Sequence, residues 1–313
     1  MTKPISKWIL IRAFVLTAVV FSLLTKVNTG GGDSNRGEID SEKAPRIGER
    51  ALNGEASKTL PNNPADVKFS YERRKGFRGS ASKRSVLVSE RAVYTTVEEL
   101  KKRIALPFEI KVIFEQCGDP DSFYDEESHE IVICYELIDA YYYLFSRTLK
   151  GRTAQNEAIK GATVSMFLHE VAHALIDGWD LPITGREEDA ADQFSTLLLI
   201  NGMPDGDEMA LNGARSFKLL AQLEKGQEKD YSDPHSLDEQ RFFGMICLVY
   251  GHRPDQYEYL IRNGTLQTDR AFECEGDYAR VSKSWQKLLA PHLAYPNYQE
   301  KTRAYDSSQE EAR

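Results

Sequence analysis

Hydrophobic and polar positions alternate in two short stretches of the chain, which predicts strands there. Residues 108–114 read Phe-Glu-Ile-Lys-Val-Ile-Phe, and residues 129–134 form a second run rich in β-branched side chains. A turn cluster at 118–121 separates the two runs. We therefore predict two adjacent strands of a small sheet. A short helix precedes them, beginning near Thr96 and ending before Pro107.

Apolar positions recur at helical spacing through the rest of the chain. Gly178 is expected to end the motif helix described below in a left-handed conformation, and Ser236 with Glu239 to form a capping box. The predicted fold class is α+β, with a small N-terminal β-sheet packed on the motif helix and a mostly helical C-terminal half. The pattern predicts helices over 136–149, 153–176 (or from 156), 186–200, 205–223 and 236–250, then two or three short helices ending near residue 289.

The first 26 residues have the pattern of an export signal. Basic residues precede an apolar run at 13–24, which is shorter than a free-standing transmembrane span. No small-x-small cleavage site follows, so residues 1–26 are either a signal peptide or an uncleaved anchor with residues 8–25 in the membrane. In both cases the body of the protein is expected outside the cytoplasm, periplasmic or secreted.

Residues 27–92 are predicted to be a disordered linker that becomes basic towards its end. Gly, Ser, Asn, Pro and charged residues dominate it, and no apolar period is present. Its basic cluster is interpreted as a solvated tether, because neither aromatic interleaving nor an amphipathic face accompanies the charge. A folded domain is expected over 93–292 and a polar tail over 293–313.

The composition of the chain is typical of a folded protein, and its charge argues against some classes of binding partner. The chain is 41% hydrophobic with 15 Tyr and 14 Phe, which is enough apolar mass for one substantial core. Its formal net charge of −8 argues against a nucleic acid or an anionic membrane surface as the partner of the folded body.

The 4 cysteines are an even number and contain no C-x-x-C pair, as in a disulfide-bonded protein of an oxidising compartment. Three pairings are possible for four cysteines. We favour Cys117 with Cys134 and Cys247 with Cys274, because each pair joins neighbouring segments of one subregion. The other interpretation, four buried free thiols, would require that the N-terminal segment is not an export signal.

One helical segment carries an H-E-x-x-H pattern, formed by His169, Glu170 and His173. Positions i and i+4 lie on one face of a helix, so both imidazoles can reach a single ion. Two neutral imidazoles suit zinc, and a carboxylate beside them can take a proton from an activated water. The alternative is a core helix that happens to contain two histidines.

A zinc hydrolase needs a third protein ligand and an open fourth position. Glu188 is the candidate, and Asp192, a turn further on, can accept the free ring N–H of one histidine. Glu187 is the rival ligand, but it shares an apolar stripe suited to the core. The alternative for these acidic residues is a first turn favoured by the helix dipole.

The pattern of His169, Glu170, His173, Glu188 and Asp192 resembles that of the gluzincins, the thermolysin-like zinc peptidases. From residue 108 to 289 the chain also resembles a bacterial metallopeptidase family of unknown function. The matching segments are 114–118, 123–125, 131–137, 169–177, 181–192 and 235–241, together with Cys247 and Cys274.

The resemblance implies a zincin-like fold whose Zn²⁺ is held by His169, His173 and Glu188. Glu170 would then activate the water that attacks a peptide carbonyl, while an edge strand holds the extended peptide or protein substrate. Residues 129–133 are the candidate edge strand.

A late histidine in such enzymes lies over the substrate carbonyl, which makes His235 the candidate for stabilising the oxyanion. The alternative for His235 is a surface or capping residue. Two other function classes also remain open for the chain: a non-catalytic or degenerate zinc-binding module of the cell envelope, and a zinc hydrolase of a non-peptide substrate.

Overall fold

The computed structural model describes residues 69–74, 79, 81, 83–104, 106 and 108–293, and within them the chain is α+β and mostly helical. The strands are β1 (Phe69–Arg73), β2 (Ile110–Glu115), β3 (Ser122–Asp125) and β4 (Glu130–Cys134). The helices are α1 (Lys83–Lys101), α2 (Tyr135–Thr148), α3 (Arg152–Trp179), α4 (Glu187–Gly202), α5 (Gly206–Leu223), α6 (Asp238–His252), α7 (Pro254–Tyr257), α8 (Tyr259–Arg262) and α9 (Thr268–Leu289), followed by a 3₁₀ turn (Ala290–His292).

The two predicted strands are β2 and β4, and they are neighbours in a sheet of order β1-β2-β4-β3. β1, β2 and β4 are parallel, whereas β3 runs antiparallel to β4. β2 and β4 are apolar on both faces, as expected of interior parallel strands. The main core contains Val112, Phe114, Ile131 and Ile133, while the opposite face holds Ile113, Val132 and Cys134.

The prediction that 129–133 forms a sheet edge is wrong. β4 lies between β2 and β3, so the edges of the described sheet are β1 and β3. β3 has only four residues and follows the turn cluster directly, so its sequence is too short to show the alternation that predicts a strand. The order of strands depends on long-range pairing that local patterns do not encode.

Residue 92, the predicted boundary between linker and folded domain, falls inside α1, so that β1 and residues 83–92 of α1 lie within the predicted linker. α1 begins at Lys83 rather than near Thr96 and buries Val86, Val93 and Leu100 along one face. Charged and small residues between these positions interrupt the helical spacing of apolar residues, so the sequence pattern does not predict this part of the helix. The predicted segments 1–26 and 27–68, and the tail after residue 293, lie outside the described residues.

α3 is the central helix of the fold and is buried on most of its faces. Two glycines let α5 cross it closely. A Cβ at Gly161 would lie 3.0 Å from the Asn212 Cβ, and one at Gly213 would lie 2.4 Å from the Ser165 Oγ. α5 therefore packs closely against α3 in the turns that precede the H-E-x-x-H pattern.

The ends of two helices differ from the prediction. α3 continues through Gly178, and its left-handed residue is Asp180, with φ of 49°. α6 begins after Leu237 rather than Ser236, and the Gln240 side chain accepts the Leu237 N–H at 3.1 Å. Asp180 adopts the left-handed conformation expected of a glycine, and Gln240 provides the capping contact expected of Glu239. Because other hydrogen-bonding residues can replace the expected ones in this way, the exact ends of helices are difficult to predict.

The C-terminal region contains one long helix, the 22-residue α9, where short helices were expected. Both favoured disulfides, Cys117 with Cys134 and Cys247 with Cys274, are present. The second joins α6 to α9. Among the described residues, no helix is long and apolar enough to cross a membrane.

Candidate metal centre

Three side chains converge from α3 and the first turn of α4. The Nε2 atoms of His169 and His173 lie 3.2 Å apart, one helical turn from each other. The Oε2 atom of Glu188 lies 3.0 Å from the His169 Nε2 and 3.5 Å from the His173 Nε2. These three residues are a group of possible metal ligands.

The separations of these atoms match a small divalent ion. Ligand atoms in a tetrahedron around zinc, at about 2.0–2.1 Å from it, lie about 3.3 Å from one another. The three observed separations are 3.2, 3.0 and 3.5 Å. Two imidazoles and one carboxylate are also the donors of a catalytic zinc site that leaves a fourth position open, so the residues present fit such an ion.

A carboxylate holds the far nitrogen of each histidine ring. His169 donates its Nδ1–H to the Asp192 Oδ1 at 2.9 Å, and His173 donates its Nδ1–H to the Glu187 Oε1 at 2.6 Å. Both Nε2 atoms are thereby directed at the ion position. The assignment of Glu187 to a core stripe is wrong, since its side chain is 47% exposed and lies against His173.

Arg241 is the main residue of the centre to which sequence reasoning gave no role. Its Nε donates to the Asp192 Oδ2 and its Nη2 to the Asp192 Oδ1, both at 2.7 Å, and both side chains are buried. Burial alone would raise the pKa of Asp192, but the Arg241 guanidinium and the His169 ring hold it well below its usual range. Asp192 is therefore a carboxylate at neutral pH.

The carboxylates around the centre also change the pKa values of its histidines. Burial lowers the pKa of His173, but hydrogen bonds to Glu187 and Glu188 more than offset this and raise it to about 10. The pKa of His169 is raised for the same reason, by Asp192 and Glu188. Because a metal binds neutral imidazole, binding of an ion by these rings must displace protons from them.

Glu170 lies on α3 between the two histidines, and its side chain is buried. The Ser122 Oγ, on strand β3, donates to the Glu170 Oε1 at 2.9 Å. Two residues further along the same strand, the Tyr124 hydroxyl donates to the Asp177 Oδ2 at 2.8 Å. β3 is therefore fastened along α3 on the Glu170 side of the centre.

The structure brings His235 to the same centre. Its Nε2 lies 2.8 Å from the Glu188 Oε2, and its Nδ1–H donates to the Asp233 Oδ1 at 3.0 Å. The Arg186 Nη1 donates to the His235 carbonyl at 3.1 Å, which ties this loop to the start of α4. His235 thus lies beside the ion position rather than on a remote surface.

A cleft of about 560 Å³ leads to the centre. Its lining includes His173, Glu187 and Glu188, together with Tyr231, which is 78% exposed. A ligand of peptide dimensions can therefore approach the ion position from solvent.

Replacing Asp192 with alanine is expected to lower the free energy of unfolding of the metal-free protein by about 3–5 kcal/mol, because it leaves the Arg241 charge buried without a partner. Urea unfolding in the presence of a chelator measures this. The matched control is Asp189→Ala on the same helix, which is expected to change stability by no more than about 0.5 kcal/mol. Equal stability of the two variants would contradict the buried-pair interpretation.

A protein-family model matches most of the chain. The model of the DUF4344 family, described as "putative metallopeptidase", matches residues 76–289. No curated protein and no solved structure matches the chain. The matched range begins before residue 108, where the resemblance read from the sequence starts, and it contains every residue of the centre described above.

Proposed function

Because the chain belongs to the DUF4344 family of putative metallopeptidases, we propose that it is a zinc peptidase of the gluzincin type. The observation that carries the proposal is the convergence of His169, His173 and Glu188, whose ligand atoms lie within 4.8 Å of one another beside Glu170. A zinc ion held there supplies a Lewis acid that polarises a carbonyl and lowers the pKa of water to about 7.

Glu170 is the general base of this proposal. Its Oε1 accepts the Ser122 hydroxyl, which holds the carboxylate in one orientation and leaves Oε2 to receive a proton. Glu170 takes that proton from the attacking water and passes it to the nitrogen of the leaving amine. Ser122 orients the base and does not touch the reacting atoms.

His235 is proposed to stabilise the oxyanion that develops on the attacked carbonyl. Asp233 accepts its Nδ1–H, so that its Nε2 faces the centre, 2.8 Å from the Glu188 Oε2. Nε2 donates to the oxyanion when the ring carries a hydrogen on both nitrogens, and the Asp233 carboxylate beside Nδ1 stabilises that form. A donor held in place at this point acts on charge that develops only in the transition state.

Replacing His235 with alanine is expected to retain the bound zinc and to lower kcat by about 10²–10³-fold, the usual effect of losing one oxyanion donor. Metal analysis and steady-state kinetics measure the two effects. A matched control is His252→Ala, which removes a histidine that stacks on Tyr278. Loss of zinc, or unchanged turnover, in His235→Ala would contradict the assigned role.

The outer edge of β3 is proposed to bind an extended substrate peptide. β3 is the sheet edge that contacts α3 through Ser122 and Tyr124, and a strand added there would pass Glu170. Main-chain hydrogen bonds would then hold the peptide regardless of most of its side chains. The interior strand β4, which the sequence suggested, has no free edge for this purpose.

The proposed location is the periplasm or the extracellular space, with residues 8–25 as a signal or anchor. The two disulfides support it, because such bonds form and persist in oxidising compartments. Peptide or protein substrates, rather than nucleic acid, are the proposed partners.

Cleavage of a peptide library by the full chain tests the proposal. New peptide termini that vanish with a chelator and return with added zinc are the expected result. Hydrolysis of esters or amides without peptide cleavage would favour a hydrolase of non-peptide substrates, whereas bound zinc without hydrolysis of any kind would favour a binding module.

A further inference from the structure

Arg241 lies outside the ligand set, yet it contacts the centre through Asp192. We propose that Arg241 is a positioning residue that orients the ligand His169 through Asp192 and seats the His235 loop beside the ion; this inference rests on the proposed zinc site.

Hydrogen bonds to both oxygens hold the Asp192 carboxylate in one orientation. Arg241 occupies both oxygens, with Nε on Oδ2 and Nη2 on Oδ1, and Oδ1 also accepts the His169 Nδ1–H at 2.9 Å. Rotation of the carboxylate would break both bonds of the guanidinium fork at once. The His169 ring is therefore held with its Nε2 towards the ion by a residue that never touches it.

Arg241 is itself fixed in place. Its guanidinium stacks on the Phe217 ring of α5 at 3.9 Å from the ring centre, and only 8% of the residue is exposed. Lysine has neither the planar fork nor the stacking surface, so it cannot reproduce these contacts.

The same residue connects the centre to His235. Arg186, at the start of α4, donates to the carbonyls of Asp233 and His235, while Arg241 of α6 binds Asp192 of α4. The segment 233–241 is thereby fastened to α4 at both of its ends. Loss of the Arg241 contact would free one end and move the His235 ring relative to Glu188.

Zinc affinity of the full chain, measured by competition with a chelating dye, tests the inference without requiring any activity. Arg241→Gln is expected to weaken binding by about 10–100-fold, as the loss of an outer hydrogen-bond partner of a ligand does. In an Asp192→Asn background the same change is expected to add little, because the effect passes through Asp192.

Controls separate positioning from general destabilisation. Tyr257→Phe removes a hydrogen bond to Asp207 outside the centre and is expected to leave the zinc affinity unchanged. Arg241→Lys, which keeps the charge, is expected to weaken zinc binding in the same direction, and it replaces the glutamine variant if that protein does not fold.

NMR spectra of the imidazole nitrogens give the second readout. In Arg241→Lys the ring signals of both His169 and His235 are expected to shift, whereas in Tyr257→Phe they are not. Wild-type zinc affinity in Arg241→Lys, additive losses in the double variant, or unchanged ring signals would each overturn the inference. A chain that binds zinc in this Arg241-dependent way but cleaves nothing would instead contradict only the peptidase proposal.

Discussion

Glu170→Gln protein is expected to bind zinc as the unchanged protein does and to hydrolyse peptides about 10²–10⁴-fold more slowly. Glutamine has the shape of glutamate and can still accept the Ser122 hydroxyl, so the buried site should keep its packing. It cannot take a proton from water at neutral pH. Metal content and initial rates of peptide cleavage, measured on the same preparation, separate these two effects.

The matched control for this variant is Glu157→Gln, an exposed position on the same helix α3. That change removes a charge from α3 but not from the centre, so both zinc content and rate should stay the same. A Glu170→Gln protein with the rate of the control would show that another group serves as the base.

Glu188→Gln is expected to weaken zinc binding by more than about 100-fold, beyond the 10–100-fold that loss of an outer partner costs. The carboxylate is the only charged ligand in the group, and its hydrogen bonds to His169, His173 and His235 lower its pKa well below the usual range despite burial. Peptide cleavage should disappear with the zinc. Titration of the metal-free protein with zinc measures the affinity.

The neighbouring residue provides a direct comparison. Glu187→Gln removes only the negative charge of the group that accepts the His173 Nδ1–H, and because that side chain is 47% exposed the loss of zinc affinity should lie at the low end of the range for outer partners. If Glu187→Gln lost zinc and Glu188→Gln did not, the two roles would be reversed.

The local part of the centre follows from the sequence because helical spacing fixes it. His169 and His173 are one turn apart on α3, and Glu188 and Asp192 are one turn apart on α4, so each pair shares a face wherever the helix lies. The structure places Glu188 and Asp192 where that spacing suggests. The predicted cysteine pairs also involve neighbouring segments, which limits the alternatives.

The remaining features depend on contacts between distant segments. Arg241 and Asp192 are 49 residues apart in the sequence, and Ser122 and Glu170 are 48 apart. The periodicity of the sequence predicts neither contact. Glu187 was misassigned for a related reason. Glu187 lies on the face of α4 that is apolar further along the helix, but at the first turn this face borders the cleft. Whether Glu187 is buried therefore depends on the segments that pack around that turn.

The order of strands is the clearest example of this limit. The runs that became β2 and β4 were identified, but which strand forms an edge depends on the short β3, whose four residues pair with β4. The beginning of the fold is not evident from the sequence, because α1 has two serines, a threonine and Glu90 in its buried face and β1 is separated from its partner β2 by that whole helix.

Zinc-edge X-ray absorption on the purified full chain shows whether His169, His173 and Glu188 hold zinc. We expect one zinc per chain with two imidazole nitrogens at about 2.0–2.1 Å and a carboxylate oxygen at about 2.0–2.2 Å, and loss of this signal in Glu188→Gln. A protein that holds no zinc, or that gives the same signal after Glu188 is replaced, would contradict this ligand set.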